Sequence, residues 1–535
     1  MPTCFRLLSC LGVAIFLLFG CAAIARAEEE SPPPTAQETG VIEKSVTLGL
    51  RDVVMRALAA NLDIAVEQYN PAIRDAELLS AQGTFDPTIK LDFSYSDEQV
   101  PQTTREGLAS NAAETETITK DLSLTFSGTL TSGTEYEIFF DRSQSQFTQN
   151  NTFIDPDPLV IGDEFFGNVR NPSQYDLDLN FKLTQPLLKD FGFDANLADI
   201  RIARTARDIS VEDFRKSVMD TVAEVESAYW DLFLTIENLK VAESSLGLAR
   251  DLLKENRIRL EVGTMARLEV LQADTGVAQR EGDVIVARSQ VKDAEDNLKR
   301  LLNLPKDTED WKLRIVPADE PSTIERQVDL LTELNLAMEN RPDYKSSLLQ
   351  IESDAINERF TRNQLLPSVD LTSEYEFRAV DAELHNAFDD IERGTSPSWL
   401  AGGTAEYPIG NREAKGNYKK AQLEKLQSEK ETANLRLSII VEVNKAVRDI
   451  ETGLKRISVT RKATELGEES LKAERKKLEV GVSTSHLVLQ FEEELADARR
   501  REIAAKIDYR KALIALAAAT GNLLKENNIV VDETL

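Results

Sequence analysis

The sequence predicts a mainly α-helical chain, with duplicated long coiled-coil hairpins that wall an α-barrel and strands of a membrane β-barrel shared between protomers. Three observations predict it. The turn Leu260-Glu261-Val262-Gly263 recurs as Leu478-Glu479-Val480-Gly481, 218 residues further on, and the same offset carries Val225, Leu232, Ile236 and Leu239 onto Val443, Ile450, Leu454 and Ile457. A helical hairpin is therefore duplicated. Before the first turn, Val218, Val222, Val225, Tyr229, Leu232, Ile236 and Leu239 alternate spacings of four and three, the seam of a coiled coil. Between the helical stretches lie segments of strict period two, the mark of strands with one apolar and one polar face.

Composition agrees with this class. The chain has 535 residues, 6% aromatic and 29% charged, closer to a coiled coil than to a compact enzyme. Residues 1–27 read as a signal peptide: Arg6 precedes an uncharged run, and Ala25-Arg26-Ala27 ends it with small residues suited to cleavage. A membrane-spanning anchor is the alternative, since Leu7 to Ala25 is marginally long enough. Cys4, Cys10 and Cys21 all lie in this segment, so cleavage leaves a chain without thiols and excludes cysteine nucleophiles, thiolate metal sites and disulfides. Leu18-Phe19-Gly20-Cys21 partly matches a lipoprotein signal that would place a lipid on Cys21; the bulky Phe19 and the better site downstream oppose it. A formal charge of −29 excludes nucleic acid as a partner.

In chain order, residues 28–46 form an acidic leader and 47–84 a helix carrying Leu50, Val54, Leu58, Leu62 and Ile64. Residues 85–186 hold strands and an extracellular loop. Ile89, Leu91, Phe93 and Tyr95 alternate with polar residues; so do Leu122, Leu124 and Phe126, then Tyr136, Ile138 and Phe140, then Tyr175, Leu177, Leu179, Phe181 and Leu183. Ser143 to Ser173 reads as a long exposed loop. A soluble sandwich and a lipid-facing barrel share this alternation. Segments of about ten residues, inserted between very long helices, favour the barrel.

Residues 187–302 form the first helical hairpin, with a return seam at Val284, Ala287, Val291, Ala294, Leu298 and Leu301. A proline-broken equatorial connector spans 303–326. The programme then restarts: a helix over 327–366, strands and a loop over 367–408, the second hairpin over 409–524, and a tail over 525–535. The first return helix and the second incoming helix, of similar length, are expected to stack end to end beside one long helix of about 100 Å.

In this order and spacing the chain resembles the TolC-like outer-membrane efflux protein family. The resemblance is carried by Gly83-Thr84-Phe85-Asp86-Pro87, Gln185-Pro186-Leu187-Leu188, Tyr407-Pro408-Ile409 and the turns Val262-Gly263-Thr264 and Val480-Gly481-Val482-Ser483. It implies a homotrimer whose strands jointly close a barrel in outer-membrane lipid, with a helical tunnel across the periplasm. It also implies docking of the tips on a periplasmic adaptor (membrane fusion protein) joined to an inner-membrane pump. The expected function is a passive exit duct for tripartite efflux or type I secretion; a soluble periplasmic coiled-coil scaffold with a small β domain is the alternative. Oligomerisation follows independently, because unpaired strand edges cannot face lipid and the strands of one chain are too few for a closed barrel. One departure stands out. The family implies two strands per half, whereas the first half here shows four, so 121–130 and 134–142 are either an added barrel hairpin or part of the external loop.

The candidate functional residues fall in three groups. Gly263, Thr264, Gly481, Val482 and Ser483 are the adaptor-docking tips; a helix cap with positive φ explains the glycines by itself. Members of the family narrow the tunnel with acids after the second turn; the matching positions here are Leu487 and Gln490, with Glu269 and Gln272 in the first copy. Glu269, Gln272 and Gln490 are therefore the expected constriction, with a solvated helix face as the alternative. Asp92, Asp176, Asp178, Asp370, Glu374 and Glu376 share the polar phase of the strands and would line the barrel lumen, favouring cations. No residue is assigned to catalysis, a cofactor or a metal: His385, in a loop, and His486, beside the second turn, lie far apart in the fold, and no phosphate-cradling glycine loop is present. Acidic runs such as Glu468-Glu469 and Glu492-Glu493-Glu494 read as solvated helix faces.

Overall fold

The computed structural model describes residues 45–101, 114–150, 169–304, 311 and 313–531. The segment read as a signal peptide with its three cysteines, nearly all of the acidic leader, and 151–168 of the expected external loop lie outside the described residues.

The chain opens with β1 (Ser45–Leu48), α1 (Leu50–Ala60), α2 (Leu62–Glu67) and α3 (Tyr69–Gln82). One continuous helix was the expectation over 47–84. Asn61 interrupts it: its backbone is extended, and its side chain accepts from the N–H groups of Asp63 and Ile64 at 2.8 and 3.2 Å, capping a fresh helix. Residues 45–48 instead pair in parallel with β7 (Arg314–Pro317), inside the segment expected to be an irregular connector. Strands of four residues are too short to show a period. The Tyr229 hydroxyl donates to Leu48 O at 3.2 Å and accepts from the N–H groups of Ala318 and Asp319 at 3.1 Å, tying this small sheet to the long helix behind it.

The main sheet contains β2 (Thr88–Pro101), β3 (Glu114–Thr129), β4 (Glu135–Asn150), the two-residue β5 (Val169–Arg170) and β6 (Gln174–Pro186) from the first half of the chain. The second half adds β8 (Ser368–Asp381) and β9 (Pro397–Glu406). The order is β2-β3-β4-β6-β8-β9, every neighbour antiparallel, with β5 beside β4. The hairpin left open by the sequence is thus two full strands of this sheet. β3 and β4 have 16 residues each, longer than the expected ten, and Ser143 to Asn150 belong to a strand where a loop was expected. Beyond Tyr95, Lys120 and Gln144 both faces of β2, β3 and β4 are largely polar, so the pairing continues after the alternation that reveals a strand has ended.

Register turns alternation into rows. Leu91, Leu124, Phe140, Leu179 and Phe377 are successive cross-strand partners, and so are Ile89, Phe126, Ile138, Phe181, Tyr375 and Trp399. The opposite face carries Asp92, Ser123, Asp141, Asp178 and Arg378 in one row. The apolar face is bare in the single chain: Phe93 is 72% exposed and Trp399 78%. Among the described residues it is covered at the far end, by α9 (Leu384–Arg393), which seats Leu384, Ala387 and Ile391 on Leu177 and Ala379 and stacks Phe388 on Phe140. A loop was expected there; the apolar positions follow the i, i+3, i+4, i+7 helical rule.

The helices form one layer. After the short α4 (Phe193–Asn196) come α5 (Ala198–Glu261) and α6 (Arg267–Leu301). After β7 come α7 (Leu330–Asn340) and α8 (Pro342–Asn363), then α10 (Arg412–Glu479), α11 (Ser485–Ala519) and α12 (Leu523–Glu526). The first seam is buried throughout, from Val218 to Leu239. α5 and α10 span about 96 and 102 Å. Between them stand α8, near the sheet, and α11, near the tips: Ser346 of α8 bonds Asp213, Ser428 bonds Asp354 of α8, and Asn256 bonds Ser485 of α11. On the outer side of α5 stand α3 and α6, through Arg207–Asp75 and Arg250–Glu281. The expected stacking of the first return helix on the second incoming helix is therefore replaced: α8 stacks with α11, and α3 with α6. Among the described residues the helices stand in four columns in the order α3/α6, α5, α8/α11, α10.

Candidate functional site

The two tips end the helical layer at the pole opposite the sheet, and their geometry is the same. In the first, the N–H of Gly263 donates to Leu260 O at 3.0 Å and that of Thr264 to Arg259 O at 2.9 Å. In the second, Gly481 donates to Leu478 O at 3.1 Å and Val482 to Lys477 O at 2.9 Å. This is the Schellman cap, which requires a left-handed residue after the last turn. Gly263 and Gly481 supply it at φ +82° and +81°, with open space on every side where a Cβ would stand. Val262, Val480 and Val482 are exposed around them.

The hairpins are locked to each other just behind the turns. Arg259 donates to Leu478 O at 3.1 Å, and Asn256 Nδ2 to Ser485 Oγ at 2.8 Å. Glu269 accepts from the Ser485 N–H at 2.9 Å, so this predicted constriction residue caps the start of α11. Gln272 and Gln490, the other two, lie on facing helices and line one open groove of about 430 Å³ with Gln279, Arg280, His486 and Glu493. Gly276 permits that closeness, since a Cβ there would meet Leu489 at 2.9 Å. Ser483, at the second turn, donates its hydroxyl to Glu474 at 2.5 Å.

Glu492 departs from its expected place on a solvated face. Its side chain is fully enclosed and accepts from Arg475 at 2.6 Å, while Glu493 and Glu494 stay exposed. Burial holds the Glu492 carboxyl above the ordinary glutamate value, with Arg475 offsetting part of the effect. A raised folded value means that the ionised group costs stability near neutral pH, and that the cost is relieved as pH falls through that value toward the ordinary one. Arg475→Ala is expected to destabilise the second hairpin by about 3 kcal/mol, because it strands a buried carboxylate; adding Glu492→Gln restores most of the loss. Thermal melts of the purified protein check the pair. Amide protection at the tip should rise on mild acidification of the native chain and stay flat in Glu492→Gln.

At the other pole, the predicted lumen acids share one face of the sheet, and most are engaged. Asp176 takes two bonds from Arg378 at 2.5 and 3.1 Å, and Asp92 pairs with Lys90 at 2.9 Å. Asn180 donates to Glu374, Ser398 to Glu376 at 3.0 Å and Ser368 to Asp370 at 2.8 Å. Asp178 stands across from Asp141 and Arg378. The face is acidic, with Arg378 a counter-charge that follows the same phase along β8. His385 lies on α9, 86% exposed, and His486 in the groove at the opposite pole; α9 is thus the place of a histidine expected in a loop.

Comparison with known proteins bears on both poles. The model of the outer membrane efflux protein family matches residues 162–304 and 334–522, more than half of the chain. No curated protein sequence matches. Among solved structures, the chain is similar to the CmeC outer membrane channel of Campylobacter jejuni, at 16% identity and a TM-score of 0.62, over 90% of each chain. It is also similar to the outer membrane protein VceC of Vibrio cholerae, at 15% identity and 0.61, over 88% of this chain and 96% of that one. The open state of the MtrE outer membrane channel of Neisseria gonorrhoeae gives 17% and 0.60, over 93% and 98%. At these identities the likeness establishes the fold.

Proposed function

Because the chain belongs to the outer membrane efflux protein family and resides in the outer membrane, we propose that three copies form the passive exit duct of a tripartite efflux pump or a type I secretion system. The carrying observation is one sheet with a bare apolar face and an acidic opposite face, mounted on helical hairpins about 100 Å long. On β2 the bare apolar phase from Ile89 to Tyr95 extends about 20 Å along the strand, and on β6 the same phase runs from Leu183 to Tyr175, where α9 covers it.

In this reading the strands within 85–186 and 367–408 cross the membrane, and the hairpins of 187–302 and 409–524 wall a tunnel through the periplasm. The exposed turns at Gly263-Thr264 and Gly481-Val482-Ser483 dock a periplasmic adaptor, which joins the duct to an inner-membrane pump that supplies the energy. Gln272 and Gln490 narrow the entrance, with Glu269 holding the two hairpins in register. The acids of the sheet favour cations by through-space attraction that fades with salt.

Purified protein in a planar lipid bilayer tests the duct. Discrete conductance steps are expected, with cation preference greatest at low ionic strength. A protein that stays soluble without detergent and gives no steps would instead be a periplasmic scaffold, and the duct would be abandoned.

A further inference from the structure

We infer that the β3–β4 hairpin is part of the barrel wall, so that three copies, each adding six strands, close into an eighteen-stranded barrel whose bore this hairpin sets. The inference rests on the trimeric duct proposed above.

Continuity is the first support. β2 pairs with β3 along all 14 of its residues, and β4 pairs with β6 from Glu135 to Ser145 without a break. The hairpin also keeps the phase of its neighbours. Leu122, Leu124, Ile138 and Phe140 fall on the apolar face at the heights of Phe93, Leu91, Phe181 and Leu179, while Ser123, Thr125 and Asp141 fall on the acidic face. A hairpin lying in water above the membrane, or folded into the bore, gains nothing from an apolar stripe at that height.

Direction is the second support. β2 runs away from the helices and β9 runs back toward them, and among the described residues the six long strands alternate. The free edge of β9 can therefore pair antiparallel with the free edge of β2 in the next copy, which removes every edge from lipid.

Arc length is the third. Strands about 4.8 Å apart, tilted about 40°, each take about 6.3 Å of circumference. Six strands then take about 38 Å per chain. Four helical columns at roughly 9.5 Å take the same arc. Without β3 and β4 the sheet would cover about 25 Å on the same spacing, a third less than the helices beneath it. With the hairpin, both layers close at one radius and with one number of copies. Barrel diameter grows nearly in proportion to strand number, so the exit is about one and a half times as wide as a wall of this chain lacking the hairpin, and it admits correspondingly bulkier cargo.

Electron cryomicroscopy of the full chain in lipid nanodiscs counts the wall directly, and eighteen strands with Leu124 and Ile138 facing lipid is the expected result. A variant lacking residues 114–150 leaves β2 and β6 antiparallel and able to pair. It should close with twelve strands, and polyethylene glycols added from the external side should be excluded at about two-thirds of the radius that the native channel admits. A closed native wall with any other strand count, or with the hairpin outside it, overturns the inference and leaves the duct standing. A sheet that never closes in lipid overturns both. If the shortened variant fails to assemble, the native strand count alone decides.

Discussion

Leu179→Arg is expected to all but remove the protein from the outer membrane. Leu179 lies in the middle of an apolar row, between Phe140 and Phe377, at the depth where an arginine facing lipid costs about 2–4 kcal/mol in a barrel. In the proposed trimer, three copies multiply the cost within one assembly. Asn180→Arg, one residue away, puts the same charge on the opposite face beside Glu374 and Glu376, where it is welcome. Membrane fractionation with native electrophoresis should show the first variant without membrane-bound trimer and the second near native yield. Equal yields would mean that the apolar rows do not face lipid.

Gly481→Leu, and more weakly Gly263→Leu, should abolish export while leaving the trimer assembled. The left-handed backbone costs a side chain about 1–2 kcal/mol, little against helices buried along their whole seams. No neighbour is struck, because a Cβ at either position meets open space. What changes is the outer surface of the tip, where a leucine projects into whatever docks there. An export assay in cells should fall at least tenfold, with trimer unchanged on native gels and conductance steps retained in bilayers. Loss of the trimer would show that these glycines serve only to cap the helices.

What could be read from the chain depended on whether a residue's surroundings repeat along it. The tips were legible because a 218-residue offset aligns two copies, and a glycine that ends a helix has a local cause. The strand segments that cross lipid were legible because lipid on one side and water on the other force period two. Where both sides are largely polar, from Ser145 to Asn150, the strand leaves no period and reads as loop. Asn61 has the local sign of a helix cap, and Leu384, Ala387, Phe388 and Ile391 have the spacing of a short helix; both signs are local and outweighed by the longer pattern around them. The burial of Glu492, the Asn256–Ser485 bond and the exchange of stacking partners had no local sign at all. They depend on which hairpin lies beside which, and that is settled by side-to-side packing between segments as much as 229 residues apart.

In the proposed trimeric duct, the open edges of β2 and β9 also govern how the protein reaches its membrane. A lone chain carries two rows of unpaired N–H and C=O groups, and hydrocarbon gives these no partner, so the single chain is arrested at the bilayer surface however apolar its outer face. Insertion is then an assembly reaction of high order in protomer, slow and reversible until the last edge is joined and effectively irreversible afterwards. Output should rise steeply with expression, and a minority of chains with a damaged edge should poison a majority of intact ones.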